Sequence, residues 1–331
     1  MPAFILRRFA SMLFVLFCVI TLTFFLSRLA PGGPFDRERK IPPQIEKQLL
    51  AKYKLDGPPL QQYLDYLGDL SPIKIRHFKK TGEANDANAH WSFSLAMPDL
   101  RLSTKYRATT VNELLAQTLP VTMMLGAAAF FLATTLGIWL GCWAAVRHHT
   151  AIDAGAMFFA LAAISVPVFV IGPLLVLIFA LKMQVLPVGG WGTLSDLILP
   201  AITLASPYVA YIARLMRTSM LEVLGQDFVR TARAKGLPRA HVVYKHALKV
   251  AILPVVSFLG PLAANLLTGS VVVETIFNIP GAGGFFVNSI QNRDTFLLEG
   301  VVIVYCALLV LMNLFVDISY GILDRRIKAY G

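Results

Sequence analysis

Charge is what this sequence has least of. Only 15% of its 331 residues are Asp, Glu, Lys or Arg, against roughly 25% in a soluble domain. The shortage falls mainly on the acids: 19 Asp and Glu stand against 30 Lys and Arg, a formal net charge of +11. So low a charge excludes an ordinary soluble globular domain. Cysteine is scarce too. Cys18, Cys142 and Cys306 each sit inside an apolar run, which excludes a disulfide framework and reads as small apolar packing. His77 and His90 are too isolated to form a metal site. No G-x-x-x-x-G-K-[ST] occurs, so the chain should hydrolyse no ATP itself. No G-x-S-x-G or H-E-x-x-H occurs either, and no repeat of 20–50 residues is present.

What is there instead is apolar length. Residues of apolar type make up 56% of the chain, and a bilayer core of roughly 30 Å takes about twenty of them as helix. Six segments qualify: Phe9–Leu29, Leu119–Val146, Met157–Leu181, Leu197–Met216, Ala251–Val273 and Leu298–Leu323. Backbone in lipid must satisfy its own hydrogen bonds, so each reads as a helix. Pro167, Pro173, Pro207, Pro254 and Pro261 interrupt the third, fourth and fifth, either as kinks or as breaks lining a cavity. "LRRF" precedes an apolar run too long for a signal peptide, so the first span reads as an uncleaved anchor.

The short loops set the orientation. With the N-terminus inside, the inner pieces and Arg214 hold fourteen Lys and Arg, while the short outer loops hold only Lys182 and Arg293. The long outer loop does not vote on orientation. Both termini are therefore expected in the cytoplasm. The chain divides into residues 1–29 (tip and first span), 30–118 (an extracytoplasmic subdomain) and 119–331 (a five-helix core). In the second part, "PPQIEKQLLAKYKLDGPPLQQYLDYLGDL" reads as two short helices broken at Asp56-Gly57-Pro58-Pro59. "TGEANDANAH" reads as polar and mobile, and "TTVNELLAQTLPVTMML" as a helix feeding the second span.

Within the loop at about 217–250 lies "RTARAKGLPRAHVVYKHALK", Arg230–Lys249. It holds three Arg, three Lys and two His and no acid. Gln226–Lys235 reads as a short helix. Gly236 suits the left-handed position that ends it, and Pro238 opens the next helix after Leu237. Val229, Ala232 and Gly236 share one face, flanked by Arg230 and Arg233. A small-residue face flanked by cations suits docking into a groove on another protein. DNA binding is disfavoured by a membrane span at either end, and no nucleic-acid partner is expected. Attachment to anionic lipid is the plainer alternative.

"DFVRTARAKGLPRAHVVYKHAL" resembles the cytoplasmic coupling loop of ABC-importer permeases, in the form seen in dipeptide and oligopeptide permeases. The importer-wide Glu-Ala-Ala, three residues, Gly reads here as Arg230-Thr231-Ala232 and Gly236, so a role resting on that Glu does not transfer. "FILRRF", "FFLSRLAPGGPF", "LGAAAFFLATTLGI", "LPVGGWG", "GSVVVETIFNIPGAGGFFVNSI" and "NRDTFLLEG" extend the resemblance over nearly the whole chain. It is nearest to the B-type membrane subunits of oligopeptide importers. Departures are Pro98–Ser103 where the family often has Gly-Asp-Phe-Gly before Ser, an apparent insertion around Ile73–Trp91, and Asp324-Arg325-Arg326-Ile327 in the tail.

The resemblance implies an all-α polytopic protein of six transmembrane helices with the type I ABC-importer permease fold and an extracytoplasmic insertion after the first helix. It implies a bacterial inner-membrane location and the coupling residues Asp227, Arg230, Ala232, Arg233, Lys235, Gly236, Leu237 and Pro238. It implies partners: a related C-type permease, two cytoplasmic ATPase subunits that bind ATP and Mg, an extracytoplasmic peptide-binding protein, and a peptide substrate. No cofactor is expected in this chain.

Ionisable residues in spans need a reason. Asn313, Asp317, Tyr320 and Asp324 share one face of the sixth helix, with Arg214 at comparable depth, and read as a paired structural stripe or part of the peptide path. Glu274 and Asn278 read as capping or gating the outer mouth, or as marking an interface. A channel or secondary transporter is the rival reading, and a membrane-anchored scaffold the other. A reporter fused at Gly82 should be extracytoplasmic and one at Arg239 cytoplasmic; finding both on the same side would overturn the topology.

Overall fold

The computed structural model describes residues 2–29, 43–77, 91–106 and 109–323. These form a nearly all-helical chain that falls into two compact units. The first comprises Met1–Leu16, Thr118–Gly284 and Val304–Gly331; the second comprises Phe17–Gln117 and Phe285–Ile303. Residues 285–303, expected in the core, thus cluster with the segment that follows the first span.

Among the described residues four helices are long and apolar enough to cross a bilayer: Leu6–Leu29, Val111–Val146, Leu194–Leu224 and Thr295–Phe315. They belong to α1 (Pro2–Leu29), α4 (Val111–Val146), α7 (Leu194–Leu224) and α14 (Thr295–Leu323). The third and fifth expected spans are bent pairs, which bring the count to six when each pair is taken as one. In the third, α5 (Ala151–Ser165) meets α6 (Val168–Leu175, continuing as π-helix through Val176–Lys182) at 109°. The cause is local. Val166 precedes Pro167, which disfavours helical geometry, and Val166 is extended at φ −86° and ψ 124°. In the fifth, Arg239–Ala251 meets α11 (Leu253–Leu267) at 52°, with Pro254 in the first turn of α11 where its missing N–H costs nothing.

The core of the first unit is held by close backbone approach. In lipid, apolar burial does not drive helices together, so small residues that let backbones meet must. A Cβ on Gly141 would lie 2.3 Å from the Ala213 carbonyl oxygen of α7, and one on Gly137 2.6 Å from Ile212 Cβ. Gly137 and Gly141 therefore form a small-xxx-small contact along α4. At the other end of α4, a Cβ on Gly126 would stand 2.1 Å from the Leu266 carbonyl oxygen of α11. Ala129, Ala133, Ala205, Ile212 and Met216 complete this core.

The second unit combines helices with a short hairpin. Its helices α2 (Pro43–Lys52) and α3 (Pro59–Leu70) break where the sequence places the turn, and α3 opens with Pro59. Antiparallel strands β1 (Ile73–His77) and β2 (Trp91–Leu95) pair from Ile73↔Leu95 to His77↔Trp91. This hairpin occupies the inserted segment and is a departure from pure helix; its tip, containing "TGEANDANAH", lies outside the described residues. The Glu299 carboxylate is buried and accepts from Ser27 Oγ at 2.6 Å and Arg28 Nη1 at 2.8 Å. Arg101, at φ +67°, donates through Nε to Asp69 at 2.9 Å and lies over the rings of Tyr66 and Phe296. Burial pushes the Tyr66 phenol far above its ordinary pKa. Asp294 caps α14 by accepting from the Leu297 N–H at 3.2 Å, and it takes a short hydrogen bond from Ser103.

Gly126→Val should lower membrane abundance sharply, because overpacking against backbone costs about 1–3 kcal/mol or more. Gly155→Val, where nothing lies within 4 Å, should not. Immunoblotting of membrane fractions checks the pair, and equal abundance would remove the close-approach explanation.

Candidate functional site

The basic segment is built from short helices joined by one tight turn. Helix α8 spans Asp227–Ala234, with Asp227 in its first turn and Arg233 in its last, each on the side the helix dipole favours. It ends as its residues demand. Lys235 N–H bonds the Thr231 carbonyl at 3.1 Å, Gly236 N–H bonds the Arg233 carbonyl at 3.0 Å, and Gly236 takes φ +75°. A Cβ there would meet nothing within 4 Å, so only the left-handed backbone demands glycine. Pro238 caps α9 (Arg239–His241), which continues as π-helix through Val242–Ala247 into α10 (Leu248–Ala251).

One expectation is overturned. Val229 and Ala232 do not face outward toward a partner groove. Both are buried, in one cluster with Val242, Val243 and Ala247. Periodicity had put them on one face, but burial turns that face inward onto the chain's own π-helical segment. The outward face carries Asp227, Phe228, Arg230, Thr231, Arg233 and Lys235. Leu237 packs partly into the core. Arg230 and Asp227 approach to 3.6 Å, both largely exposed, which contributes little to stability.

Besides this packing, polar contacts tie the segment and the end of α7 to neighbouring helices. Arg239 Nη2 donates to the Val146 carbonyl at the end of α4, at 2.8 Å. Nearby, Asp153 on α5 is buried and takes both Nε (2.5 Å) and Nη2 (2.7 Å) of Arg217 on α7. His148 Nδ1 lies 2.9 Å from the same carboxylate. The bidentate pair joins the start of the bent span to the helix that leads into α8.

Residues 137–329 match the family described as binding-protein-dependent transport system inner membrane component. The chain belongs to that family. It is 43% identical over 330 residues to the oligopeptide transport system permease protein OppB of Salmonella typhimurium, covering 99% of this chain and 100% of that protein. To the dipeptide transport system permease protein DppB of Bacillus subtilis it is 38% identical, covering 100% of this chain and 99% of that protein. A chain of the MetNI methionine ABC transporter in an inward-facing form shares the fold at a TM-score of 0.54 and 16% identity, over 65% of this chain and 98% of that one. The chain is thus a multi-pass inner-membrane transport component with an importer permease fold.

The other candidate residues of this permease fall differently. Glu274, on α12 (Val271–Ile276), is buried within the chain. Its carboxylate accepts from Thr122 Oγ1 at 2.9 Å and from the Gly283 N–H at 2.8 Å, while Thr122 Oγ1 accepts from the Ala282 N–H at 2.9 Å. It staples the Phe277–Gly283 turn to α4. Asn278 is exposed at φ +51°. Asn313 is exposed, and so is Arg214, whose guanidinium lies 5.8 Å from the Tyr211 ring centroid. The side chains of Asp317 and Tyr320, and all of Asp324, lie outside the described residues.

Sequence reasoning missed Asp153, Arg217 and the Gly137/Gly141 contact. The glycines carried a local signal, the small-xxx-small spacing. The ion pair carried none, since its members are 64 positions apart. Arg217→Met, which strands the buried Asp153 carboxylate, should destabilise the subunit by about 3 kcal/mol, and Asp153→Asn should cost less, because Arg217 reaches solvent. The double variant should recover part of the loss. Thermal unfolding in detergent tests this, and strictly additive losses would refute the pairing.

Proposed function

We propose that this chain is one of two membrane permeases in an ATP-driven importer of oligopeptides. The observation that carries the reading is the exposed cationic and aromatic face of α8, braced from behind by Val229 and Ala232 and stopped at Gly236. A rigid lever of this kind at the end of spans transmits force, whereas a loop that only held lipid would need no buried back. The peptide class is supported by the relatives' names.

On this reading two ATPase subunits bind ATP and Mg and grip α8 from the cytoplasm, where both termini also lie. A related C-type permease supplies the other half of the pathway, and an extracytoplasmic binding protein delivers peptide. Closure of the ATPase pair moves both levers, and the spans switch between inward and outward access as packed bodies. The missing ATP-binding motif agrees with a division of labour in which this chain conducts and its partners hydrolyse. Asp317 is proposed to pair with a polar partner inside the bundle, as a structural contact and not a substrate contact.

Phe228→Ala with Arg230→Glu and Arg233→Glu should leave the subunit inserted but release the ATPase subunits on purification. Gly236→Arg, strained by about 1–2 kcal/mol in the left-handed turn, should retain them and uncouple ATP hydrolysis from peptide uptake. Ala232→Trp should instead lower abundance, since the side chain has nowhere to go. Full uptake in the three-residue variant would refute the lever and favour a transporter without an ATPase.

A further inference from the structure

A second feature of the same unit combines apolar walls with two cations at one end. A groove of about 750 Å³ runs along α4 from Thr134 to Arg147, closed on its far side by Val243, Tyr244 and Leu248. Its floor is apolar: Ile138 and Cys142 line it beside Trp139 and Trp143, whose rings stack 5.4 Å apart at 19°. Both tryptophans are exposed. At the end of the groove the Arg147 guanidinium lies 5.3 Å from the Trp143 ring, and Arg239 is held by its bond to the Val146 carbonyl. Among the described residues no acid pairs with either guanidinium.

Shape and charge together select the occupant. From Thr134 to Arg147, α4 rises about 20 Å. One leaflet holds about 15 Å of hydrocarbon beneath its headgroups. The groove therefore has about the length of one leaflet, with two cations at one end and Trp143 one turn from them. A soluble anion would engage the two arginines and leave the apolar trough bare. An acyl chain alone would leave the arginines without a counter-charge.

We propose that this groove binds one anionic phospholipid, its phosphate between Arg147 and Arg239 and an acyl chain against Trp139, Trp143 and Leu248. The phosphate bridges the end of α4 to the helix that follows the Gly236 turn. The site depends on neither the peptide class nor the direction of transport.

The test uses the full chain with its co-purifying subunits in phosphatidylcholine nanodiscs. These are doped with phosphatidylglycerol or phosphatidylcholine carrying the same photoactivatable acyl chain, and crosslinked peptides are mapped by mass spectrometry. Phosphatidylglycerol should label the Thr134–Arg147 segment at least about tenfold more than phosphatidylcholine, as two cations facing one phosphate imply. Arg147→Gln with Arg239→Gln should bring labelling down to the phosphatidylcholine level. The corresponding lysine pair should keep most of it, and Arg214→Gln should change nothing. Each single glutamine variant should lose part, which keeps the test decisive if the double variant inserts poorly. Equal labelling by both lipids, or unchanged labelling in the glutamine variants, would overturn the site. So would the absence of any label, which means another subunit covers the groove. Loss of labelling on adding excess glycerol phosphate would assign the arginines to a free phosphate and overturn it equally.

Discussion

A carboxyl removed from water must bring hydrogen-bond partners with it, and this chain keeps its architecture by obeying that constraint at a few chosen places. Among the described residues four buried carboxylates act as joints, Asp294 through Ser103 and three others. Asp153 receives the Arg217 fork, Glu274 receives Thr122 and the Gly283 amide, and Glu299 receives Ser27 and Arg28. Each joins elements far apart in sequence. In a lipid-facing protein apolar contact distinguishes poorly between right and wrong neighbours, because lipid tails are as apolar as leucine. An unpartnered charge does distinguish, since misplacing it costs several kcal/mol. Close glycine contacts supply the remaining order, through Gly126, Gly137 and Gly141 on α4.

The Asp153–Arg217 joint bears most directly on function. It ties the first half of the span that turns through 109° to the continuous helix that leads toward α8. On the proposed reading, α8 moves the spans only if the joint between them does not slip. The same logic explains the placement of Arg239, which bonds the last turn of α4 just past the Gly236 turn. The chain beyond the turn is thus tied to a long helix, and α8 packs onto the π-helical segment through Val229 and Ala232.

Much of this was legible from residues alone. The apolar runs fixed where helices cross, because bilayer thickness leaves little choice of length. Gly236 announced a left-handed stop, and φ +75° is what the structure adopts. Pro167 announced a break, and the extended Val166 before it is the break. The same residues could not say how far the chain would turn. A proline forbids local helix, but the angle beyond it is chosen by what the second helix packs against.

The sequence by itself therefore determined the number and length of the apolar segments, the cationic character of one loop, its stop signal and the family. Only the tertiary structure decided which side of α8 faces out, that Glu274 is an internal staple, and that Asp153 meets Arg217. The reason is physical. Periodicity reports which side chains share a face, and it is the packed neighbour that decides whether that face looks inward. Ala232 shows this most plainly: its spacing marked it as special, and the buried Val242, Val243 and Ala247 gave it the opposite role.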